Sequence, residues 1–553
     1  MNVKKIIAKK FPAAILALTI AVQISLVFHV QKTVINNNDG IFTFTLANTP
    51  YSYNYIDHMY KRFPVSENGW LSGEFLRSNY IVGDNNRFDY GAVYFHQRLD
   101  NHPLLYYSLV HTICSIFSGT YSVQYALVIN LFGMLGIDCI LILLFRKLFR
   151  LQIYALVPVI GMMLVSTFLD LFTLSRMYTL LAFMTIWYQY LQLRFQTEKH
   201  LRKSDYITML ICAFLGTQTH YYFYVYAFFA SLITAGVLLK NHQFRGLFNY
   251  ICAGISGICL SVVLFPWVVW HILYNQMKKH SEVSSWSLQG LKEYFSFVNS
   301  SAFNGHFLRI VIVFGLIAAG LKVFSVIRHN RNSCLTSAES SLTKEYRIYL
   351  SGVLFTGAFY SVLIFTLDGG NWYYETGMYL PILVCLSAIA IIFGKRVSAC
   401  LISLFNKSGS NIHIRPYIST LISLCVSLFI MMAVLGTSAV QSNIRSRSET
   451  FQSTETFRNI PYKYQNNACI YIEEGQDNLF SNLLLDVSQY AEFKKISADS
   501  YRSRGLTLED IAGMTSSGPV IIYIPSELSA AGIGGQTEFL ATNGSFNIYL
   551  LEP

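Results

Sequence analysis

The chain has 553 residues, of which 53% are hydrophobic and only 13% are charged. Soluble domains carry about 25% charged residues, so this composition excludes an ordinary soluble enzyme as well as a disordered or fibrous protein. The net charge of +11 could indicate a nucleic-acid-binding surface. The positions of the basic residues along the chain decide whether the charge indicates nucleic-acid binding or membrane topology.

Apolar runs of roughly 20 residues, the length a helix needs to cross a bilayer, recur from residue 11 to about residue 440. The first run follows a lysine-rich N-terminus and has no small-residue cleavage site, so we interpret it as an uncleaved first span. The pattern predicts eleven membrane spans, at about 11–30, 123–145, 153–170, 176–195, 206–221, 222–239, 249–270, 307–327, 346–367, 377–394 and 417–440.

The distribution of lysine and arginine predicts the orientation of these spans. The predicted cytoplasmic segments hold 21 basic residues, whereas the longer outer segments between spans hold 9. This excess follows the positive-inside rule, so the net charge is assigned to topology and no nucleic-acid partner is expected. We therefore expect a multi-pass plasma-membrane protein with a cytoplasmic N-terminus and an extracytoplasmic C-terminus. The cysteine pattern indicates no disulfide framework, which is compatible with a bacterial membrane.

Two domains are predicted. Residues 1–440 form a transmembrane domain that includes a long outer loop, 31–122, and residues 441–553 form a small extracytoplasmic α/β domain. Within the loop, residues 103–118 are too short to cross the bilayer, and we expect an interfacial helix on the outer face. The fold class is therefore a polytopic α-helical membrane protein with a small C-terminal α/β domain.

The C-terminal domain alternates two kinds of pattern. Helical spacing predicts a helix within 477–493. Short apolar runs predict three buried strands, at 468–474, 519–526 and 546–552.

Ionisable side chains near membrane depth are costly, so each of them needs a reason. Asp39 follows the first span and is either a turn residue before glycine or a general base at the membrane–water boundary. Asp100 and His102 precede a helix that starts at a proline, and they form either a helix cap or a site for a phosphate oxygen. Arg176 either extends to the interface or binds an anionic lipid head group.

Under the predicted topology, one group of acids and bases falls on the outer face. One member of this group, His220, has an alternative interpretation as an ordinary histidine of the interfacial aromatic belt. An outward cavity that combines acids with bases suits transfer from a lipid phosphate. The group comprises Asp39, Glu74, Asp100, His102, Arg176, His220 and Glu375.

Three short motifs then suggest a family. An early aspartate after the first span is followed by HPLLYY at 102–107, and then by RMY at 176–178 and THYY at 219–222. The arrangement resembles the glycosyltransferase C superfamily, and within it most of all the family 39 group of protein mannosyltransferases and aminoarabinose transferases. The resemblance covers about residues 10–440.

The resemblance implies an inverting transfer of a hexose or pentose from a polyprenyl-phosphate donor to a glycan or protein acceptor outside the cytoplasm. The early catalytic acid of the family corresponds to Asp39. Gly40 follows it where the family has a glutamate, so a second carboxylate would come from Glu74 or Asp100.

The resemblance implies that further residues bind substrate. The basic residues among them are assigned to the phosphate of the donor. No DxD pair is present, so no metal or other cofactor is expected. The expected partners are the lipid-linked sugar, membrane lipid and the acceptor. The substrate-binding candidates are His102, Arg176, Tyr178, His220 and Glu375.

Other functions remain open at this point. A flippase or transporter of lipid-linked saccharides would also have many spans and outward acids, but it predicts internal repeats and broken helices, and neither is evident in the sequence. An oligosaccharide polymerase or ligase would place its large outer loop late in the chain, whereas this loop is early. A non-catalytic scaffold that presents the C-terminal domain is the third alternative.

Overall fold

The structure is a computed structural model, and it describes most of the chain. The chain packs as two compact units, which we call the helical unit (1–32, 130–173 and 177–443) and the loop–tail unit (33–129, 174–176 and 444–553). The predicted domain boundary near residue 440 stays a prediction. The described residues are 3–32, 38–50, 69–276, 288–301, 305–330, 342–368, 376–407, 416–436, 438–473, 483–512, 514, 516 and 518–552.

Long, mostly apolar helices are the main elements of the helical unit, as the composition predicts. In chain order the longest helices are Val3–Gln31, Gln124–Phe149, Tyr178–Thr197, Lys203–Thr219, Tyr222–Lys240, Phe244–Leu264, Phe307–Asn330, Lys344–Asp368, Thr376–Lys407 and Pro416–Leu435. Within the described residues, seven helical segments are long and apolar enough to cross a membrane, or eight if one bent pair counts as a span. The protein is therefore a polytopic membrane protein, and the total of eleven spans stays a prediction.

The bent pair lies where the sequence predicts a span at 153–170. In the structure this stretch has a first segment, Gln152–Met163, and a second, Ser166–Thr173, which meet at 82°. The pair is a broken span or a re-entrant loop, so the crossing at 153–170 stays a prediction. The backbone N–H of Val165 donates to the carbonyl of Met162, an i to i−3 turn that ends the first helix.

Small residues bring helices of the helical unit close together. A Cβ on Gly257 would lie 2.4 Å from the carbonyl oxygen of Leu210, and one on Gly394 would lie 2.4 Å from that of Ser423. Close backbone approach at small residues is a main source of packing energy between membrane helices. The helices that carry these two glycines thus pack closely against their neighbours because a glycine lacks a side chain at the contact.

The loop–tail unit is built on one six-stranded sheet with the order β1-β3-β2-β4-β6-β5. The centre is parallel, because β2 pairs in parallel with β3 and with β4, and the other pairings are antiparallel. The three strands predicted from the apolar runs are confirmed as β2, β4 and β6. The strands are β1 (Leu71–Ser72), β2 (Ala468–Glu473), β3 (Glu492–Ser497), β4 (Val520–Pro525), β5 (Gln536–Thr542) and β6 (Phe546–Glu552).

The predicted helix at 477–493 is mostly wrong. In its described part only Leu484–Val487 is helical, and the chain enters β3 at Glu492. The edge strand β1 comes from the long loop after the first span, and it pairs Leu71 with Phe493 of β3. The sequence pattern gave no sign of this pairing because a two-residue strand has no periodicity.

Three helices of the loop pack against one another in the same unit. Their bounds are Asn38–Asn48, Tyr90–Leu99 and Leu105–Ile116. The last of them matches the helix that the sequence predicts at the membrane interface, and its position relative to a membrane stays a prediction.

Candidate functional site

The turn between two loop helices carries the Asp100–His102 pair. Asp100 ends the helix Tyr90–Leu99, where its backbone N–H donates to the carbonyl of His96 at 3.1 Å. Two residues on, Nδ1 of His102 donates to the Asp100 carboxylate at 2.6 Å. The Asp100 side chain is 13% exposed and the His102 side chain is 20% exposed, so the pair is mostly shielded from solvent but still reachable.

Arg176 lies in the same unit and is only 7% exposed. Its Nη1 donates to the hydroxyl of Tyr107 at 3.2 Å. The guanidinium also lies 5.7 Å from the ring centroid of Phe42, within the range of a cation–π contact. The neighbouring Ser175 carbonyl accepts a hydrogen bond of 2.8 Å from Thr43, which fixes the segment against the first loop helix.

The charges of these groups are coupled. Burial alone would raise the pKa of Asp100, but the nearby His102, a backbone N–H and the positive charge of Arg176 together lower it below its usual value. The carboxylate is therefore ionised at neutral pH. His102 and Tyr107 are also close, with ring centroids 6.1 Å apart.

The arrangement can orient an imidazole and present a positive charge in one buried place. A carboxylate that accepts from Nδ1 of a histidine fixes the orientation of the imidazole ring. A buried guanidinium provides a planar set of donors that suits phosphate oxygens. The cluster of Asp100, His102, Tyr107 and Arg176 thus has the chemistry of an anion site next to an oriented acid–base group.

The structure does not bring every candidate into this cluster. Glu74 is exposed in the first turn of the short helix Gly73–Arg77. Asp39 occupies the second position of the helix Asn38–Asn48, but its side chain lies outside the described residues, and so does Glu375.

Tyr178 and His220 form a second pair, in the helical unit. Tyr178 begins the helix Tyr178–Thr197 and is 3% exposed, and the ring centroids of the two residues are 5.8 Å apart. His220 follows the helix Lys203–Thr219, and its Nδ1 accepts a hydrogen bond of 3.1 Å from the backbone N–H of Tyr222. The two aromatic candidates therefore contact each other directly.

Sequence reasoning missed Tyr107 and Phe42, which provide the contacts of Arg176. Tyr107 belongs to the HPLLYY motif, so the motif carried a signal that was used only for the resemblance. Phe42 gave no signal, because a lone phenylalanine after a membrane span is ordinary.

Among the described residues, no three histidine, cysteine, aspartate or glutamate side chains gather as a metal site. The expectation that no metal takes part stays a prediction.

The fold and this site define a polytopic membrane protein in which a carboxylate and an imidazole of the long first loop lie in one unit with the buried guanidinium of Arg176. No protein-family model matches the sequence, and no curated protein sequence matches it. Among solved structures, the chain is similar to ArnT from Cupriavidus metallidurans in the apo state, with a TM-score of 0.51 and 12% identity, over 97% of this chain and 98% of that chain.

A second structure of that ArnT, bound to undecaprenyl phosphate, gives a TM-score of 0.47 and 11% identity over 97% of each chain. At this level of identity the likeness to ArnT in the apo state establishes the fold alone.

Proposed function

We propose that the protein is a membrane glycosyltransferase of the glycosyltransferase C superfamily, which moves a sugar from a polyprenyl-phosphate donor to an acceptor outside the cytoplasm. The observation that carries the proposal is the cluster that Asp100 and His102, on the loop after the first span, form with Arg176 through Tyr107. The likeness to ArnT along nearly the whole of both chains supports it. So do the three motifs in the sequence.

The reaction is a single displacement at the anomeric carbon. The bond between that carbon and the phosphate oxygen breaks, and a bond to the acceptor oxygen forms on the opposite face with inversion. The proton of the acceptor hydroxyl passes to a carboxylate base, and the polyprenyl phosphate leaves with the electron pair. A phosphate monoester is a good leaving group, so binding its charge is the main task of the protein.

Arg176 is proposed to bind the phosphate of the donor. Its donors suit phosphate oxygens, and its burial strengthens the attraction because the local dielectric is low. His102, oriented by Asp100, is proposed to bind the same phosphate. Tyr178, His220 and Glu375 are retained as proposed contacts of the sugar or acceptor.

Asp39 is proposed as the base. Position 39 precedes Phe42 and Thr43 by three and four residues on one helix, and those two residues contact the 175–176 segment. Residues three and four apart on a helix share a face, so this spacing supports the assignment of the base to position 39. Glu74 and Asp100 are the proposed sources of a second carboxylate.

The test uses purified protein in lipid nanodiscs with a panel of polyprenyl-phosphate sugars, and it measures release of free polyprenyl phosphate. Loss of a general base lowers turnover by about 10²- to 10⁴-fold, so Asp39→Asn should lose that much. Asp84→Asn is the matched control, since Asp84 is an exposed loop aspartate whose carboxylate accepts from Ser118. Unchanged transfer in Asp39→Asn at normal expression would show that the base is wrongly assigned.

The same nanodiscs test the transporter alternative. No turnover with any donor, together with ATP-independent movement of a lipid-linked sugar between leaflets, would overturn the transferase assignment and support a flippase. Orientation is tested separately, because the proposal places the N-terminus in the cytoplasm and residues 441–553 outside it. Accessibility of single cysteines introduced at the two ends would decide it.

A further inference from the structure

Tyr106 is fully buried next to the Arg176 contact. Its ring lies edge-on to Tyr107, with centroids 5.9 Å apart and an interplanar angle of 87°. Its hydroxyl is buried and has no hydrogen-bond partner in the described part of the chain. Buried hydroxyls in native proteins nearly always have a partner, so one without a protein partner indicates a site that a ligand or an ordered water completes.

The charges around this hydroxyl suit an anion. Burial raises the pKa of Tyr106, Tyr107 raises it further, and the positive charge of Arg176 acts against the rise. The hydroxyl therefore stays protonated at neutral pH and can donate a hydrogen bond. Tyr107 contacts both groups, because its ring lies against that of Tyr106 and its hydroxyl accepts from Arg176, so a neutral donor and a cation flank the same residue.

We infer that the Tyr106 hydroxyl donates a hydrogen bond to the phosphate group that Arg176 binds. A hydrogen bond to a charged acceptor is stronger than one between neutral groups, and exclusion of water strengthens it further. The inference deepens the proposed function, on which it rests for the source of the phosphate. The recognised chemistry is a phosphate oxygen, from a lipid head group or from a soluble phosphate.

A purely structural role makes a different prediction. If Tyr106 only filled space, phenylalanine would fill it equally well and would remove a buried hydroxyl that has no partner. Tyr106→Phe would then bind phosphate as the wild type does and would be at least as stable. Only a role toward a ligand makes this substitution harmful to binding and harmless to the fold.

The experiment measures binding of undecaprenyl phosphate to the full chain in nanodiscs, for the wild type, Tyr106→Phe and Tyr90→Phe. Tyr90 is the matched control, because its 44% exposed side chain lies on the neighbouring helix and its hydroxyl already pairs with Thr112 at 2.9 Å. Loss of a hydrogen bond to a charged group weakens binding roughly tenfold to a hundredfold. We expect that loss for Tyr106→Phe and no change for Tyr90→Phe.

Two further ligands separate the phosphate from the lipid chain. Undecaprenol has the same chain without the phosphate, so its binding should be equal in the wild type and in Tyr106→Phe. An equal loss for both lipids would overturn the inference, and so would wild-type affinity of Tyr106→Phe for undecaprenyl phosphate. Inorganic phosphate, added as a competitor, should displace the lipid weakly. Strong displacement that Tyr106→Phe abolishes would support the hydrogen bond and assign the site to a soluble phosphate.

The inference and the proposed function fail in different ways. Turnover by the wild type with unchanged affinity in Tyr106→Phe would overturn the inference and leave the transferase intact. Tyr106-dependent binding of undecaprenyl phosphate without turnover of any donor would support the phosphate site and remove the transferase. Thermal unfolding of both variants in the same nanodiscs confirms that the comparison is between folded proteins.

Discussion

The carboxylate of Asp100 accepts a hydrogen bond of 2.6 Å from Nδ1 of His102, two residues further along the chain. The turn that holds the pair joins two helices of the loop, and the pKa of the carboxylate is lowered mainly by His102, with a smaller contribution from Arg176 in the same unit. The carboxylate and the imidazole form a fixed pair beside a buried guanidinium. We therefore expect the contribution of each of the two residues to turnover to depend on the other.

A double-mutant cycle tests this dependence. Asp100→Asn and His102→Gln should each lower turnover about tenfold to a hundredfold, because each removes either the orienting group or the oriented ring. The double variant should lose little more than either single variant, since contacting residues that act together are strongly non-additive. Turnover in nanodiscs gives the coupling energy directly. Losses that simply multiply in the double variant would mean that the two residues work independently.

Replacement of Arg176 by lysine should weaken donor binding although the charge is kept. Lysine is a point charge without the planar fork, and it cannot keep both the hydroxyl of Tyr107 and a two-point contact to phosphate. We expect KM for the lipid-linked donor to rise about tenfold, with a smaller change in kcat. Arg98→Lys is the control, because Arg98 makes a similar cation–π contact, 4.8 Å from the ring of Phe95. Equal effects of the two substitutions would argue against a phosphate contact at Arg176.

The loop helices should lose stability in mild acid. Burial lowers the pKa of both His96 and His111 below the usual value near 6.5, although backbone partners and Asp89 oppose the shift. Above pH 6.5 both folded and unfolded histidines are neutral, so pH has no effect through them. As pH falls below 6.5 the unfolded state binds protons first, and stability drops by up to about 1.4 kcal/mol per histidine for each pH unit until the folded pKa is reached.

Hydrogen exchange of residues 90–116 between pH 7.5 and 5.5 measures this drop, expressed as protection factors. His96→Gln together with His111→Gln should remove most of the pH dependence, because neither glutamine titrates. His200→Gln should keep it, since His200 is exposed. A slope unchanged in the double variant would assign the pH response to other groups.

The sequence predicted the parts of the fold that depend on local pattern. The strands β2, β4 and β6 are apolar runs with short, clear bounds, and the burial of β2 and β4 on both faces follows from that pattern. It failed at β3, where Lys494 is only 3% exposed and its Nζ donates to the carbonyl of Asp510 at 2.9 Å. A buried lysine looks polar in any periodicity, so only the tertiary contact reveals the strand.

The candidate site likewise has residues that the sequence pattern identifies and contacts that only the tertiary structure reveals. Asp100 and His102 were found because they are close in sequence and stand before a proline-started helix. The contact of Arg176 with Tyr107 joins residues 69 positions apart, and its contact with Phe42 crosses a still longer stretch. No spacing rule relates such positions, so the sequence could nominate Arg176 but could not name its partners.

Gly73 provides the last prediction, which concerns how the loop and the tail sheet hold together. Its backbone N–H donates to the carbonyl of Ala491 at 3.0 Å, where β1 meets β3. A Cβ at this position would lie 2.0 Å from the carbonyl oxygen of Tyr490 and 2.7 Å from that of Ser488. Neither oxygen can move freely, because both belong to backbone. Alanine should therefore destabilise the loop–tail unit by about 1–3 kcal/mol, the usual cost of overpacking.

Gly83→Ala in the same loop is the matched control, because a Cβ there would have no atom within 4 Å. Hydrogen exchange of residues 71–80 and 492–497 in the full chain would report the effect of each variant. Faster exchange of both segments in Gly73→Ala alone would show that β1 and β3 depend on close backbone approach at this glycine. If Gly73→Ala exchanges like Gly83→Ala, the loop strand is dispensable for the sheet, and its pairing with β3 contributes little to the stability of the unit.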